Sequence, residues 1–330
     1  MASINRIGPM TIGVAATGER AGASVQAAVL GAELLGRGAI GGFTVFAILD
    51  AEGHVYHRIT QRGGIGVLDL PESWLMARHA AAISSGPDRP EPLTQFLPGL
   101  DGIGLVTGHR LPNSLDRDGR PVNHLVLTRL SAGEEPQKAV DGVLSQCPEL
   151  DAGLIAINTS GQIGIGNSER VRRRADGGCA VRETQKSRVA LLHNSIYSNQ
   201  PLAERLVDLA WSYLSGEPTG VRLLFLRDSV PVQLATKDRV HVDATGTVTC
   251  IESPNIRLQS TLDRATTIYL GSEIWHGAEL IGHAATELIT AVDQGRISKP
   301  AENSSLSIVM ETRKAILGEP TSFPRTSSRD

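Results

Sequence analysis

Several groups of residues in this 330-residue sequence bring chemically able side chains close together. Thr44 opens an apolar run after Gly41-Gly42-Phe43. A threonine there becomes a nucleophile when its own amine serves as the base, which requires cleavage of the Phe43–Thr44 bond. The plainer reading is a β-branched strand residue. Further on, Asn167-Ser168-Glu169-Arg170 leads into Arg172-Arg173-Arg174 and then Asp176-Gly177-Gly178-Cys179. Arginine grips a carboxylate through paired N–H donors, so Arg172, with Asn167 and Ser168, is the candidate substrate-binding group. A solvated basic turn is the alternative. Gly177 and Gly178 allow backbone amides to approach a developing oxyanion, and Asp176 can activate water. Cys179 precedes His193 and Asn194 by fourteen and fifteen residues, the residue types of a thiol nucleophile with its base and orienting amide. A small buried cysteine is the bland counterpart. His109 lies in the polar stretch Thr107–Ser114, where an imidazole can move protons near neutrality or simply decorate a loop.

The elements that must position these groups follow from hydrophobic periodicity. Thr11–Ala16 is predicted as a strand, Ser24–Leu35 as a helix, and Phe43–Leu49 and His54–Thr60 as a hairpin about the Asp50–Gly53 turn. A similar order recurs: Leu125–Leu130 as a strand, Gln137–Ser145 as a helix, and Gly153–Ile157 returning through Asn158–Gly161 into Gln162–Gly166. The two turns lie 108 residues apart, which suggests a duplicated unit covering 11–66 and 124–170. Common Asp-x-x-Gly hairpins explain the same pattern without duplication. A third such turn, Asp243–Gly246, follows the predicted helix Leu202–Leu214. Ser84–Gly119 reads as a long loop, Ala278–Gln294 as a helix carrying His283, Ser304–Leu317 as a strand followed by a short helix, and 318–330 as a frayed tail.

Composition bounds the function. A net charge of -3 and a pI near 6.3 give no electrostatic reason to expect nucleic acid or anionic membrane as a partner. No apolar run reaches the roughly 18 residues of a membrane span, and three unpatterned cysteines fit reduced thiols in the cytoplasm. Gly102-Ile-Gly104 does not complete a dinucleotide fingerprint, and the run 161–166 lacks the lysine of a phosphate loop. His276, Glu279 and His283 are too few for a metal site, so neither metal nor cofactor is expected. A small-molecule substrate is the expected partner, with a homo-oligomer permitted by the glycine-rich surface.

The segment Asp151-Ala-Gly-Leu-Ile-Ala-Ile-Asn158-Thr-Ser-Gly161-Gln-Ile-Gly resembles the N-terminal nucleophile hydrolases of the isoaspartyl peptidase and asparaginase type. The resemblance implies an α+β fold, an αββα four-layer sandwich of antiparallel sheets with internal duplication, in one compact domain over 1–330. It also implies hydrolysis of a carbon–nitrogen bond in a small carboxylated amide. The position matching the family's nucleophile is Asp151 rather than threonine, and Phe43-Thr44 lacks its cleavage junction, so one intact chain is expected. Arg172 and Asp176 stand near the family's substrate-binding pair. Two other functions suit the same residues: a non-catalytic binding protein for a carboxylated ligand, and a cyclic amide or imide ring-opening hydrolase built from three repeats.

Overall fold

A computed structural model describes residues 10–37, 40–198, 200–227, 229–298 and 306–313. The chain divides into two compact units, 1–217 and 218–330, in place of the single domain expected.

In the first unit, β1 (Thr11–Thr17) and α1 (Ala21–Leu35) precede the hairpin of β2 (Thr44–Leu49) and β3 (Val55–Thr60). The short helix α2 (Glu72–Leu75) leads into β4 (His79–Ser85), then β5 (Gly99–Leu100) and β6 (Gly104–Arg110). Helices α3 (Val122–Ser131) and α4 (Pro136–Gln146) come next, followed by β7 (Ala152–Asn158), β8 (Ile163–Asn167) and α5 (Glu169–Arg172). The unit closes with β9 (Gly177–Glu183), β10 (Arg188–Asn194) and α6 (Leu202–Ser215).

These strands form a six-stranded sheet ordered β3-β2-β4-β1-β10-β9 and a four-stranded sheet ordered β5-β6-β7-β8, all pairings antiparallel. The side-chain period of two decides how they stack. Leu105, Ile155 and Ile157 turn toward Phe43, Val45 and Leu192 of the larger sheet, whereas Val106, Leu154 and Ala156 turn toward α3 and α4. Between the sheets Gly13 faces Gly108, and a side chain at Gly13 would run into the Gly108 carbonyl. Helices α1 and α6 pack on each other and on the outer face of the larger sheet.

Among its described residues, the second unit is almost entirely β. Its strands are β11 (Val221–Leu226), β12 (Val232–Leu234), β13 (Arg239–Val242), β14 (Thr247–Ser253) and β15 (Leu262–Ile268). They continue with β16 (Glu273–His276), β17 (Glu279–Ala284), β18 (Leu288–Asp293), β19 (Arg296–Ser298) and β20 (Leu306–Thr312). A seven-stranded mixed sheet and a three-stranded sheet enclose a core including Val240, Ile251, Ile274, Ile308 and Met310.

Several expectations are corrected. The chain as a whole is not an αββα four-layer sandwich with duplication: among the described residues strands outnumber helices, in four sheets over two units. The order of the proposed repeats also breaks, because Leu125–Leu130 is helical within α3. Val122, Val126, Leu127 and Leu130 are buried there, a 3.6-residue spacing, and Pro121 sets the helix start. The two hairpins therefore belong to different sheets with different preceding elements. The Asp243–Gly246 turn joins β13 to β14 in the second unit. Ser84–Gly119 is not one long loop, since it contains the wholly buried β6. The predicted helix Ala278–Gln294 is two strands. Leu288, Thr290 and Val292 are buried while Ile289 and Asp293 are exposed, an alternation that only an extended chain produces. His276 and His283 consequently sit on the paired strands β16 and β17. The predicted helix after β20 and the tail 318–330 lie outside the described residues.

Candidate functional site

The sequence-predicted residues divide among separate environments. One group gathers where β6 and β10 end. Asp176 takes both N–H groups of Arg174, at 3.0 and 3.1 Å, the Ser195 hydroxyl at 2.7 Å and the Arg110 guanidinium. The hydrogen bonds from Arg174 and Ser195, with the charge of Arg110, hold its carboxyl well below the usual carboxylate range. Arg110 is buried and also reaches Asp151 at 3.4 Å. An acid so fully engaged is a structural anchor and a poor water-activating base.

His109 is almost wholly buried, with Nε2 2.8 Å from Asn167 Oδ1. Burial pushes its pKa down to about 4, with the Asn167 bond opposing, so the ring is neutral near pH 7. Burial likewise lowers His193 to about 4. Ser168 caps α5 through Val171 N at 3.2 Å and donates to Leu150 O at 2.6 Å. Arg172 is exposed and its Nε donates to Asn167 O at 3.0 Å. Gly177 and Gly178 pair with Asn194 and His193, and the His193 ring occupies the space a Gly178 side chain would need. Cys179 is exposed on the same edge strand, and the partial covering of its thiol raises its pKa, which disfavours the thiolate.

Thr44 lies elsewhere, fully buried on the α1 side of its sheet. Its neighbour there is Glu33 of α1, which accepts Ser84 Oγ at 2.7 Å and Ile65 N at 3.1 Å. Burial raises Glu33 to about 7, with the Ser84, Ile65 and Thr44 contacts opposing. The structure thus brings His109, Asn167, Arg110 and Asp176 into neighbouring contacts, with Arg172 tied to the Asn167 carbonyl at the surface, and sets Thr44 and Cys179 apart from them.

The opposite end of the sheets holds what the sequence did not reveal. There β1 ends, β4 begins, and the turns 158–162 and 184–187 surround a cavity of about 1010 Å³. Thr17 Oγ1 lies 3.0 Å from His79 Nδ1 on its wall. Burial, then the nearby Arg78 charge, lowers the pKa of His79, which favours the neutral ring that can accept the Thr17 proton. Gly161, with φ of +78°, closes the turn against this pair, where any side chain would press on Thr17. Among the wall charges, Glu135 is tied to Lys138 and Glu183 to Arg188. Arg78 and Lys186 remain in no ion pair among the described residues, against the single uncommitted acid Glu19. The turn at Asn158–Gly161 was legible in sequence; its role as a cavity wall was not, and nothing in sequence singled out Thr17, Arg78 or His79.

Asp50, Glu52 and His54 bring potential metal-binding atoms within 4.8 Å of one another. The Asp50 carboxylate already accepts Glu52 N at 3.0 Å and His54 N at 2.7 Å, and it meets His54 Nδ1 at 3.2 Å. These bonds build the hairpin turn.

A family described as a domain of unknown function (DUF6963) matches residues 11–223, and a second described in the same way (DUF7259) matches 229–304. No curated protein matches the chain. Among solved structures, the glutamine phosphoribosylpyrophosphate amidotransferase from B. subtilis, complexed with ADP and GMP, is similar at 10% identity and a TM-score of 0.36. The match covers 55% of this chain and 41% of that one, less than half the length of the solved protein. None of these matches is an isoaspartyl peptidase or asparaginase, so the resemblance read from residues 151–164 does not stand.

Proposed function

The chain belongs to the DUF6963 family, and we propose that it binds a small carboxylated molecule in the cavity beside Thr17 and His79. The observation that carries this reading is the excess of uncommitted positive charge, Arg78 and Lys186 against Glu19, on the wall of a concave, polar site. The volume suits a small ligand rather than a polymer. Calorimetric titration with a panel of small carboxylates tests it. Arg78→Ala or Lys186→Ala is expected to weaken binding by roughly tenfold each, the loss of one charge-assisted contact. Arg172→Ala, outside the cavity, should leave affinity unchanged. Loss of binding in the Arg172 variant alone would move the site to the Asp176 end.

A second reading, hydrolysis of a carbon–nitrogen bond in that ligand, is favoured by one feature. The Thr17 hydroxyl and the His79 imidazole stand at nucleophile-to-base distance in the cavity. Ammonia or amine release from carboxylated amides, abolished in Thr17→Ala and His79→Ala while binding persists, would support it. Binding without turnover on any amide or cyclic imide would leave the binding role alone.

A further inference from the structure

Next to the charged cavity lies another of about 590 Å³. Arg78 and His79 line both. The turn after β7 contributes Thr159 to one and Ser160 to the other. The cavities therefore meet along two short segments of chain, at one end of the first unit.

Their walls differ in chemistry. The larger cavity is charged and rich in side-chain amides, including Gln137, Gln162 and Gln185. The smaller presents Trp74, Tyr56, Met76 and Ile48, with Asp50 and Glu52 of the hairpin turn also on its wall, so an anionic group is placed on the Arg78 side and the aromatic side takes an uncharged one. The Trp74 ring is held from several sides: stacked on Phe46 at 6.3 Å and 18°, beside Tyr56 at 6.1 Å, and with the Arg58 guanidinium 5.3 Å from its centre. A ring fixed in this way loses little freedom when a flat apolar group settles against it. Tyr56 and Met76 keep 45% and 50% of their surface exposed, so apolar area remains to be covered. The rim is tied together, with Gly102 N donating to Gly53 O at 2.9 Å, Thr159 N to Ile103 O at 3.2 Å and Val55 N to Asp101 Oδ1 at 2.8 Å. These bonds join the segments that carry the lining residues Gly53, Gly102 and Thr159.

We infer that the two cavities together hold one ligand, an arylalkyl carboxylate, with its carboxylate at Arg78 and Lys186 and its ring against Trp74, Tyr56 and Met76. Arg78, lining both cavities, sits where the two halves of such a molecule join. This rests on the carboxylate-binding role proposed above and adds the apolar half of the ligand.

Calorimetric titration of the full chain with succinate, phenylacetate, 3-phenylpropionate and neutral phenylacetamide tests it. The aryl carboxylates are expected to bind about tenfold or more tighter than succinate, since burying a phenyl ring adds a large apolar area. Tyr56→Ala and Met76→Ala should each remove about threefold or more of that gain and leave succinate affinity unchanged, because both side chains are surface-exposed and their loss does not touch the charged wall. Phenylacetamide should bind far more weakly than phenylacetate, and Arg78→Ala should narrow that difference by roughly tenfold, the part that Lys186 does not supply. Equal affinity for succinate and the aryl acids, or an aryl gain untouched by both variants, overturns this inference while leaving carboxylate binding intact. Failure of every carboxylate to bind, or equal binding of phenylacetate and phenylacetamide, overturns both.

Discussion

At the scale of single residues, buried titratable groups make opposing claims on stability. Glu33 has a folded pKa of about 7 against an ordinary 4.5. Its favourable contribution is complete below about pH 4.5 and is lost as pH rises through 7, because the folded state binds the proton more tightly. His109 and His193 run the other way. Their folded values near 4 lie below the ordinary 6.5, so their contribution is present above about 6.5 and lost as pH falls toward 4. The windows overlap, and the wild-type profile alone cannot separate them. Glu33→Gln keeps an acceptor for Ser84 and Ile65 but removes the charge. Urea unfolding at pH 5 and pH 8 should show the variant gaining on wild type, between these pH values, by on the order of 2–3 kcal/mol. An unchanged difference would mean that Glu33 does not titrate in this range. His109→Gln should show the reverse, gaining on wild type as the pH is lowered from 7 to 5. These charges were invisible in sequence, because a glutamate within Leu30-Gly31-Ala32-Glu33-Leu34-Leu35 gives no sign that Ser84, fifty-one residues away, will meet it.

Among the elements, the sequence was most legible where one period dominated. The strand Thr11–Ala16, the helix Gln137–Ser145 and the hairpins about Asp50 and Asn158 all stand close to where apolar spacing and turn chemistry placed them. The misreadings share a cause. Val122–Ser131 and Glu279–Asp293 are amphipathic stretches whose short windows satisfy either period, and only packing against α4 in one case and β-strand partners in the other selects between them. The Gly161 turn shows what an element contributes to a site. Gly161→Val should destabilise the protein by about 1–3 kcal/mol, from the positive φ and the contact with Thr17. It should also weaken carboxylate binding, because Gly161 lines the cavity and the added side chain crowds its wall. Thermal unfolding and titration of the same variant check both, and a fully stable variant with unaltered binding would contradict the assigned geometry. Gly178→Ala should destabilise through the His193 ring without affecting binding, since that residue lies at the other end of the sheets.

On the scale of the whole molecule, the chain forms two compact units, where the family resemblance implied one domain. The division follows α6, where Gly216 in a left-handed conformation and Pro218 end the helix. Both cavities beside Arg78 belong wholly to the first unit. A fragment spanning 1–217 is therefore expected to keep the affinity of the full chain within about threefold, provided it folds, since no contact to the ligand is lost. A folded fragment with no affinity would show that residues beyond 217 take part. No described helix is long and apolar enough to cross a membrane. The central claim is the location of the site, at the Thr17–His79 end of the sheets rather than the Asp176 end that the arginine cluster suggested. Amide chemical-shift mapping during titration with phenylacetate tests it most directly. The account predicts saturable shifts at Thr17, Arg78, Gly161 and Ser187, with Asp176, Gly177 and Gly178 unmoved; shifts confined to Asp176–Gly178 and Arg172 would contradict it.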